Sequence, residues 1–410
     1  MKNVDSRAIA LHKQHQGKLA IVSKVPLAKA DDLTLAYTPG VAAPCLAIQK
    51  EPELAYDYTS KGNTVAVVTN GTAVLGLGNI GAMAGLPVME GKAILFKGFA
   101  GVDAVPICLD TTDPLEVIKA VQLIAPAYGG INLEDIKAPQ CFDIEKALKK
   151  TLDIPVFHDD QHGTAIVVVS ALINAFKLIG KDFATAKFVI NGAGAAGQAI
   201  TRLIYSAGGR NIILCDSRGA IYTGRPNGMN TYKDDIAKIT NPKNEAGPLS
   251  KVIRKADVFV GVSVAGCVTP DMVRSMNSDA IVMGMANPEP EILPDAAKAA
   301  GARIVCTGRS DFPNQVNNLL AFPGIFRGAL DVRASEINEA MKVAAASAIA
   351  SLVPADKLTE DNVITSPFNP EVAPAVAAAV AKAALKTGVA RRRDLSPEAI
   401  ARHTRELLQK

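Results

Sequence analysis

Apolar positions along the chain fall into two rhythms. Short unbroken apolar runs, bounded by glycine, asparagine or aspartate, read as buried parallel strands. Longer stretches with apolar side chains every third or fourth residue read as helices. The two alternate most clearly between residues 180 and 220. Phe188–Ile190 is an apolar run, and Gly192-Ala193-Gly194-Ala195-Ala196-Gly197 follows it. Ile200, Leu203, Ile204 and Ala207 then share one helical face at i, i+3, i+4, i+7 spacing. Gly208-Gly209 ends that helix, and a second run, Ile212–Cys215, finishes on Asp216. Runs at 257–263, 280–287 and 302–308 each follow a helix-like stretch, which predicts a parallel, doubly wound sheet.

The first half has the same character. Residues 64–71, TVAVVTNG, and 92–110, KAILFKGFAGVDAVPICLD, read as strand-bearing segments, and 114–126 reads as a helix. In the tail, Asn369-Pro370 opens a helix that Gly388 ends. Ser396-Pro397-Glu398 opens the last helix, with serine as N-cap and proline at its first position. The expected fold is α/β: an N-terminal α/β substrate domain (1–165), a Rossmann-type doubly wound parallel-sheet cofactor domain (166–340), and a C-terminal helical segment (341–410) packing back on both. With no repeat or low-complexity linker between them, the halves should pack closely.

Bulk properties narrow the function. A chain of 410 residues is too long for one simple core, in line with two domains. Hydrophobic content of 49% and charged content of 20% fit a soluble enzyme. The net charge of +4 is spread along the chain, and its one basic run, Arg391-Arg392-Arg393, is followed by Asp394. That run reads as a solvated helix entry, not a nucleic-acid site. The six cysteines form no CxxC or CxxH pair, and most lie in apolar runs, the pattern of reduced, buried thiols in a cytoplasmic protein. The charged N-terminus lacks the apolar core of a signal peptide. The most apolar helix candidate, Val372–Leu385, is too short to span a bilayer. No membrane partner is expected.

Two segments match GxGxxG, and context separates them. Gly192–Gly197 lies between a strand and a helix, and a second strand ending in an acid follows. Glycines let the backbone approach a pyrophosphate, the helix start offers free N–H groups, and Asp216 can accept from ribose hydroxyls. Gly192, Gly194, Ala195, Ala196, Gly197, Asp216, Ser217 and Arg218 are therefore the candidate cofactor residues. Ser263 and Asn287 join them, since they stand at strand ends where ligands of such sheets lie. Asp216 favours NAD, whereas Arg218 leaves NADP open by offering a partner for a 2′-phosphate. Gly76–Gly81 reads instead as a tight structural turn, because Pro87 should interrupt the helix that would follow.

Acidic residues pair twice, as Glu134-Asp135 and Asp159-Asp160, each after an apolar segment. Residues 158–165, HDDQHGTA, pose the metal question directly. Histidine ligation by His158 and His162 would point to zinc, copper or iron; aspartate ligation would point to Mg2+ or Mn2+. Lys92 reads as a lone lysine at the start of an apolar strand. Such a residue often snorkels to the surface, but buried beside a cation it can act as a base.

Taken in order, LAYTPGVA (35–42), NGTAVLGLGNIG (70–81), MEGKAILFK (89–97), LEDI (133–136), FHDDQHGTA (157–165), the Gly192–Gly197 turn, ANP (286–288) and VNNLLAFPG (316–324) resemble malic enzymes of the shorter bacterial type. The likeness runs from about residue 15 to about residue 385. It implies oxidative decarboxylation of (S)-malate to pyruvate and CO2 with NAD or NADP. It also implies Tyr37 as general acid, Lys92 as general base, Asp159 beside that lysine as its orienter, and Glu134, Asp135 and Asp160 as ligands of Mg2+ or Mn2+. Asn287 and Asn318, with the neighbouring Asn317, are implied at substrate or nicotinamide. On this reading the aspartates answer the metal question and neither histidine is a direct ligand. Ala73 stands where larger malic enzymes carry a substrate-binding arginine, which leaves the holder of the second malate carboxylate open.

The same fold could also serve a malolactic enzyme or an oxaloacetate decarboxylase. A silent nucleotide sensor would need neither Tyr37, Lys92 nor the four acids. The partner expected is a small molecule, malate, in a homodimer or higher homo-oligomer.

Overall fold

The computed structural model describes residues 2–74 and 76–409. Within them β1 (Thr64–Thr69), β2 (Asp103–Cys108), β3 (Gly130–Leu133) and β4 (Val156–His158) form one parallel sheet in the order β2-β1-β3-β4. A second sheet contains β5 (Lys187–Asn191), β6 (Asn211–Asp216), β7 (Gly219–Ala220), β8 (Val258–Gly261), β9 (Ile281–Gly284) and β10 (Ile304–Thr307). Its order is β10-β9-β8-β5-β6-β7, and only the short β7 runs antiparallel. The unbroken apolar runs are explained by burial on both faces: every residue of β1, β8, β9 and β10 is buried.

Strand order reverses once in each sheet, between β1 and β3 and between β5 and β8. Crevices open beyond the carboxyl ends of strands at such reversals. The acid pairs follow β3 and β4, and the glycine turn follows β5, so the candidate residues lie at both crevices.

Two expectations are corrected. Pro87 does not interrupt a helix: Ala82–Ala100 is one helix with Pro87 inside it. Proline withdraws a single backbone donor near the start of the helix, from the carbonyl of the solvent-exposed Met83. Lys92 consequently sits in the middle of a helix, not on a strand, and the strand of that segment begins only at Asp103. An apolar run such as Ala93–Phe96 suits either element, and Gly101, at φ 65°, is what ends the helix. The Arg391–Arg393 run is a largely exposed entry to the last helix, as expected, and it is also tied down. Backbone N–H groups of Arg391 and Arg392 donate to Val332 O, and the Arg391 guanidinium reaches Glu53 and Asp153.

A buried 21-residue helix, Asp159–Ile179, joins the halves and runs through residue 165. By length and composition it could cross a membrane, which Val372–Thr387 could not, but here it is a core helix packed on the 195–206 and 339–351 helices. Phe96 meets Phe322 and Phe326 edge-on, at 4.7 and 5.3 Å between ring centres, and Phe326 meets Phe157. This cluster ties the first sheet to the helix Phe322–Asp331. The 372–387 helix presses against that helix at Gly328, where an added Cβ would lie 2.4 Å from Ala377 O. Of the cysteines, Cys141, Cys215 and Cys306 are buried, Cys45 is exposed, and none forms a disulfide.

Candidate active site

Pairing of β3 with β4 sets Leu133 beside His158. The residues that follow, Glu134-Asp135 and Asp159-Asp160, are thereby placed side by side. Asp135 adopts a left-handed conformation, φ 52°, and its N–H donates to Asp160 Oδ2 at 2.8 Å. One oxygen each from Glu134, Asp135 and Asp160 lie within 4.8 Å of one another. Three carboxylate oxygens so close suit a hard dication that leaves positions for substrate oxygens.

Asp159 is not one of that trio. Its carboxylate folds over the first turn of its own helix, where a Cβ on residue 163 would come within 2.0 Å of Oδ1. Only glycine fits there, which explains Gly163 in HDDQHGTA. Lys92 projects from the 82–100 helix with Nζ 2.7 Å from Asp159 Oδ2 and 2.9 Å from Glu134 Oε1, above the Phe322 ring. Asn318 Nδ2 also donates to Asp159 Oδ2, and Asn132 Nδ2 donates to Glu134 Oε2. Asp159 Oδ1 is buried and, among the described residues, has no hydrogen-bond partner.

Burial disfavours the Lys92 ammonium, but Asp159 and then Glu134 outweigh it and hold its pKa above the ordinary lysine range. Burial, opposed by Lys92, raises both Glu134 and Asp159, and neighbouring carboxylates push the same way. Four carboxylates therefore face one ammonium.

Neither histidine belongs to the trio. His158 is fully buried, with Nε2 3.3 Å from Asp160 Oδ2 but without hydrogen-bond geometry. His162 is engaged elsewhere, with Nε2 2.7 Å from Glu145 Oε1 and Nδ1 3.0 Å from Lys342 Nζ. Burial pushes its pKa down to about 4, overcoming the pull of Glu145.

At the second crevice Gly192, at φ 117°, passes close to Val262 O, and a Cβ on Gly197 would lie 1.7 Å from Gly192 O. The strand and the helix Ala195–Ser206 meet closely only because both positions are glycine. Gly192, Gly194, Asp216, Ser217, Arg218 and Ser263 line one cavity of about 680 Å³. Ala195 and Ala196 form the first helical turn, with Ala195 packed against the apolar cluster of the first sheet.

Asp216 has two partners that the sequence did not disclose. Arg225 binds it with both terminal nitrogens, and Lys233 Nζ lies 2.6 Å from Oδ2. Burial raises Asp216, yet these cations hold it well below the carboxylate range. They lie nine and seventeen residues downstream and return to Asp216 through loop and helix, so no local spacing announces them.

Asn287 is exposed, and its carbonyl lies 3.6 Å from where a Gly76 Cβ would stand, so the two halves meet there. Asn317 is committed to capping, accepting from Leu319 N–H at 2.9 Å. Tyr37 is not brought to Lys92. It is 66% exposed, at the C-terminal cap of a helix without a buried residue, and no residue from 4 to 63 is buried.

Residues 16–149 match the family model described as malic enzyme, N-terminal domain, and residues 161–385 match malic enzyme, NAD binding domain. The chain is 62% identical over 400 residues to a bifunctional malic/malolactic enzyme of Bacillus subtilis, covering 98% of this chain and 97% of that one. It is 56% identical over 390 residues to an NAD-dependent malic enzyme of Geobacillus stearothermophilus, covering 95% and 81% respectively. The crystal structure of malic enzyme from Pyrococcus horikoshii superposes with a TM-score of 0.96 at 48% identity, covering 99% of this chain and 96% of that one.

His162 yields a pH prediction. Its pKa lies near 4 in the folded chain and near 6.5 when unfolded. A depressed histidine adds no penalty above the unfolded value, and stability is lost as pH falls from about 6.5 towards 4, by roughly 3 kcal/mol in all. Denaturant unfolding of the wild type and His162→Asn at pH 7.5 and 4.5 should show the smaller acid loss in the variant. Equal losses would mean that His162 is not held neutral.

Proposed function

The chain belongs to the malic enzyme family and is an NAD- or NADP-dependent enzyme, and from that premise we propose how its residues oxidatively decarboxylate (S)-malate to pyruvate and CO2. The observation that carries the assignment is the seat of Lys92, between Asp159 and Glu134 at the edge of the three-carboxylate trio. Glu134, Asp135 and Asp160 would hold Mg2+ or Mn2+, to which their hard oxygen donors are suited. When bound, the cation polarises the substrate oxygen and the nicotinamide cofactor accepts hydride from C2.

Lys92 takes the proton of the 2-hydroxyl. Asp159 and Asn318 fix the direction of its ammonium, and Phe322 shields it from below. In the arrangement described Lys92 keeps its proton, because Asp159 and Glu134 hold it. Engaging Glu134 as a ligand weakens that hold and readies Lys92 as a base. Tyr37 protonates C3 after CO2 has left. Asn287 faces nicotinamide or substrate, and Asn317 serves by capping the segment that carries Asn318.

Tyr37 can meet Lys92 only if its segment finds a surface. Leu27, Leu35, Leu46 and Tyr37 are exposed together on a stretch that buries nothing. Apolar exposure of this kind marks an interface. We assign the protein to a homodimer in which the Tyr37 segment of one copy reaches the Lys92 site of the other. It acts on a small molecule in the cytoplasm, with neither nucleic acid nor membrane as partner, in keeping with its unpaired thiols.

NAD is the proposed cofactor, bound through Asp216, with NADP admitted. Arg225 and Lys233 already balance the charge that would repel a 2′-phosphate, and Arg218 lines the same cavity. A redox-neutral conversion of malate to lactate is a second reading, favoured by the printed name of the 62% identical relative.

Incubation with malate, Mn2+ and either NAD or NADP should yield pyruvate and stoichiometric reduced cofactor. Lactate without net reduced cofactor would favour the second reading, and no turnover with either cofactor would sink both.

Shared sites are tested by co-expressing Tyr37→Phe and Lys92→Ala chains, each nearly inactive alone. Statistical mixing of a two-fold dimer should restore about a quarter of wild-type activity, because each mixed dimer rebuilds one complete site. No recovery in purified mixed dimers would place Tyr37 and Lys92 in the same chain.

A further inference from the structure

Glu291 is fully buried, and among the described residues no lysine, arginine or histidine lies within ion-pair distance of it. An isolated buried carboxylate is costly unless it is hydrogen-bonded. Its partners are all at the cofactor crevice. Oε1 accepts from Ser263 N–H at 2.8 Å and from Ser263 Oγ at 3.4 Å, and Oε2 accepts from Ala286 N–H at 3.0 Å. Ser263 follows β8 and Ala286 follows β9, where the two strands part after the pair Gly261↔Gly284. The carboxylate thus bridges the first backbone donors beyond the end of the ladder.

The neighbouring sequence is fitted to it. A Cβ on Gly261 would lie 2.4 Å from Glu291 Cδ, and one on Gly284 would lie 3.1 Å from Pro290 Cβ. The Glu291 carbonyl accepts from Val268 N–H, anchoring the loop after Ser263 as well. Ser263 Oγ in turn accepts from Asn191 Nδ2 at 2.8 Å, so the ends of β5, β8 and β9 are linked through one carboxylate.

We propose that Glu291 is a positioning residue that sets Ser263 and Ala286-Asn287 at the nicotinamide end of the crevice, and that its buried negative charge favours the oxidised, positively charged cofactor over the reduced one. The inference rests on the assignment of Ser263 and Asn287 to cofactor binding. The oxidised ring carries a positive charge that the reduced ring lacks, and a charge in a nearly dry site acts over several ångströms.

The test compares dissociation constants for NAD+ and NADH by calorimetry in the wild type, Glu291→Gln and Glu291→Asp, with thermal midpoints as a check on folding. Glu291→Gln should weaken NAD+ relative to NADH by about tenfold. Glu291→Asp, which keeps the charge but shortens the reach, should weaken both forms and preserve their ratio. If Glu291→Gln fails to fold, Gly261→Ala, whose Cβ displaces the carboxylate while leaving its charge, should weaken both forms with their ratio preserved, and undiminished binding of both would overturn the positioning role. Equal weakening of both forms by the folded neutral variant, or no weakening, would overturn the proposal. A wild type that binds neither cofactor would instead overturn the crevice assignment beneath it.

Discussion

Four carboxylates share a nearly dry pocket with one ammonium. Glu134, Asp135 and Asp159 are buried, Asp160 is partly buried, and Lys92 is the lysine among them. Repulsion of this size would scatter side chains on a flexible loop. Here the backbone imposes it: parallel pairing of β3 with β4 fixes both acid pairs, a left-handed Asp135 turns one of them, and Gly163 gives Asp159 room to fold back. Lys92 answers the two carboxylates nearest it and leaves the other side of the pocket strongly negative. A divalent cation is what that remainder calls for.

The same constraint couples the two halves. The helix 159–179 begins at Asp159 and is buried as far as Phe176, whose ring meets Phe188 of the second sheet. Asn318, from the segment before the 322–331 helix, reaches back to Asp159, and Phe322 lies under Lys92. Asn287 approaches the Gly76 turn from the opposite side. The two crevices are thus held in register by contacts that cross between sheets, which is what the proposed roles of Lys92 and a nicotinamide at one substrate carbon require.

What the sequence disclosed was local. The Gly192–Gly197 turn could be read because strand, turn, helix and acid follow one another within one unit. The acid pairs could be read because each directly follows a strand. Lys92 was placed on the wrong element, since the apolar residues after it suit strand and helix equally and Pro87 looked like a stop. Arg225, Lys233 and Glu291 were missed because their partners are chosen by loop paths and not by spacing. Tyr37 is a different case: its motif was legible, but within the chain its side chain is exposed, and the proposed homodimer is what would give it a surface to meet.

The proposal that the surplus of carboxylates around Lys92 seats a divalent cation is tested most directly by thermal unfolding with and without Mn2+. Metal at a hundredfold excess over its dissociation constant should stabilise the wild type by about 2.7 kcal/mol. Asp160→Asn, which removes one repelling charge, should raise the metal-free midpoint and lose the Mn2+ shift, whereas His158→Ala should keep the shift. A Mn2+ shift that survives in Asp160→Asn and disappears in His158→Ala would contradict the account.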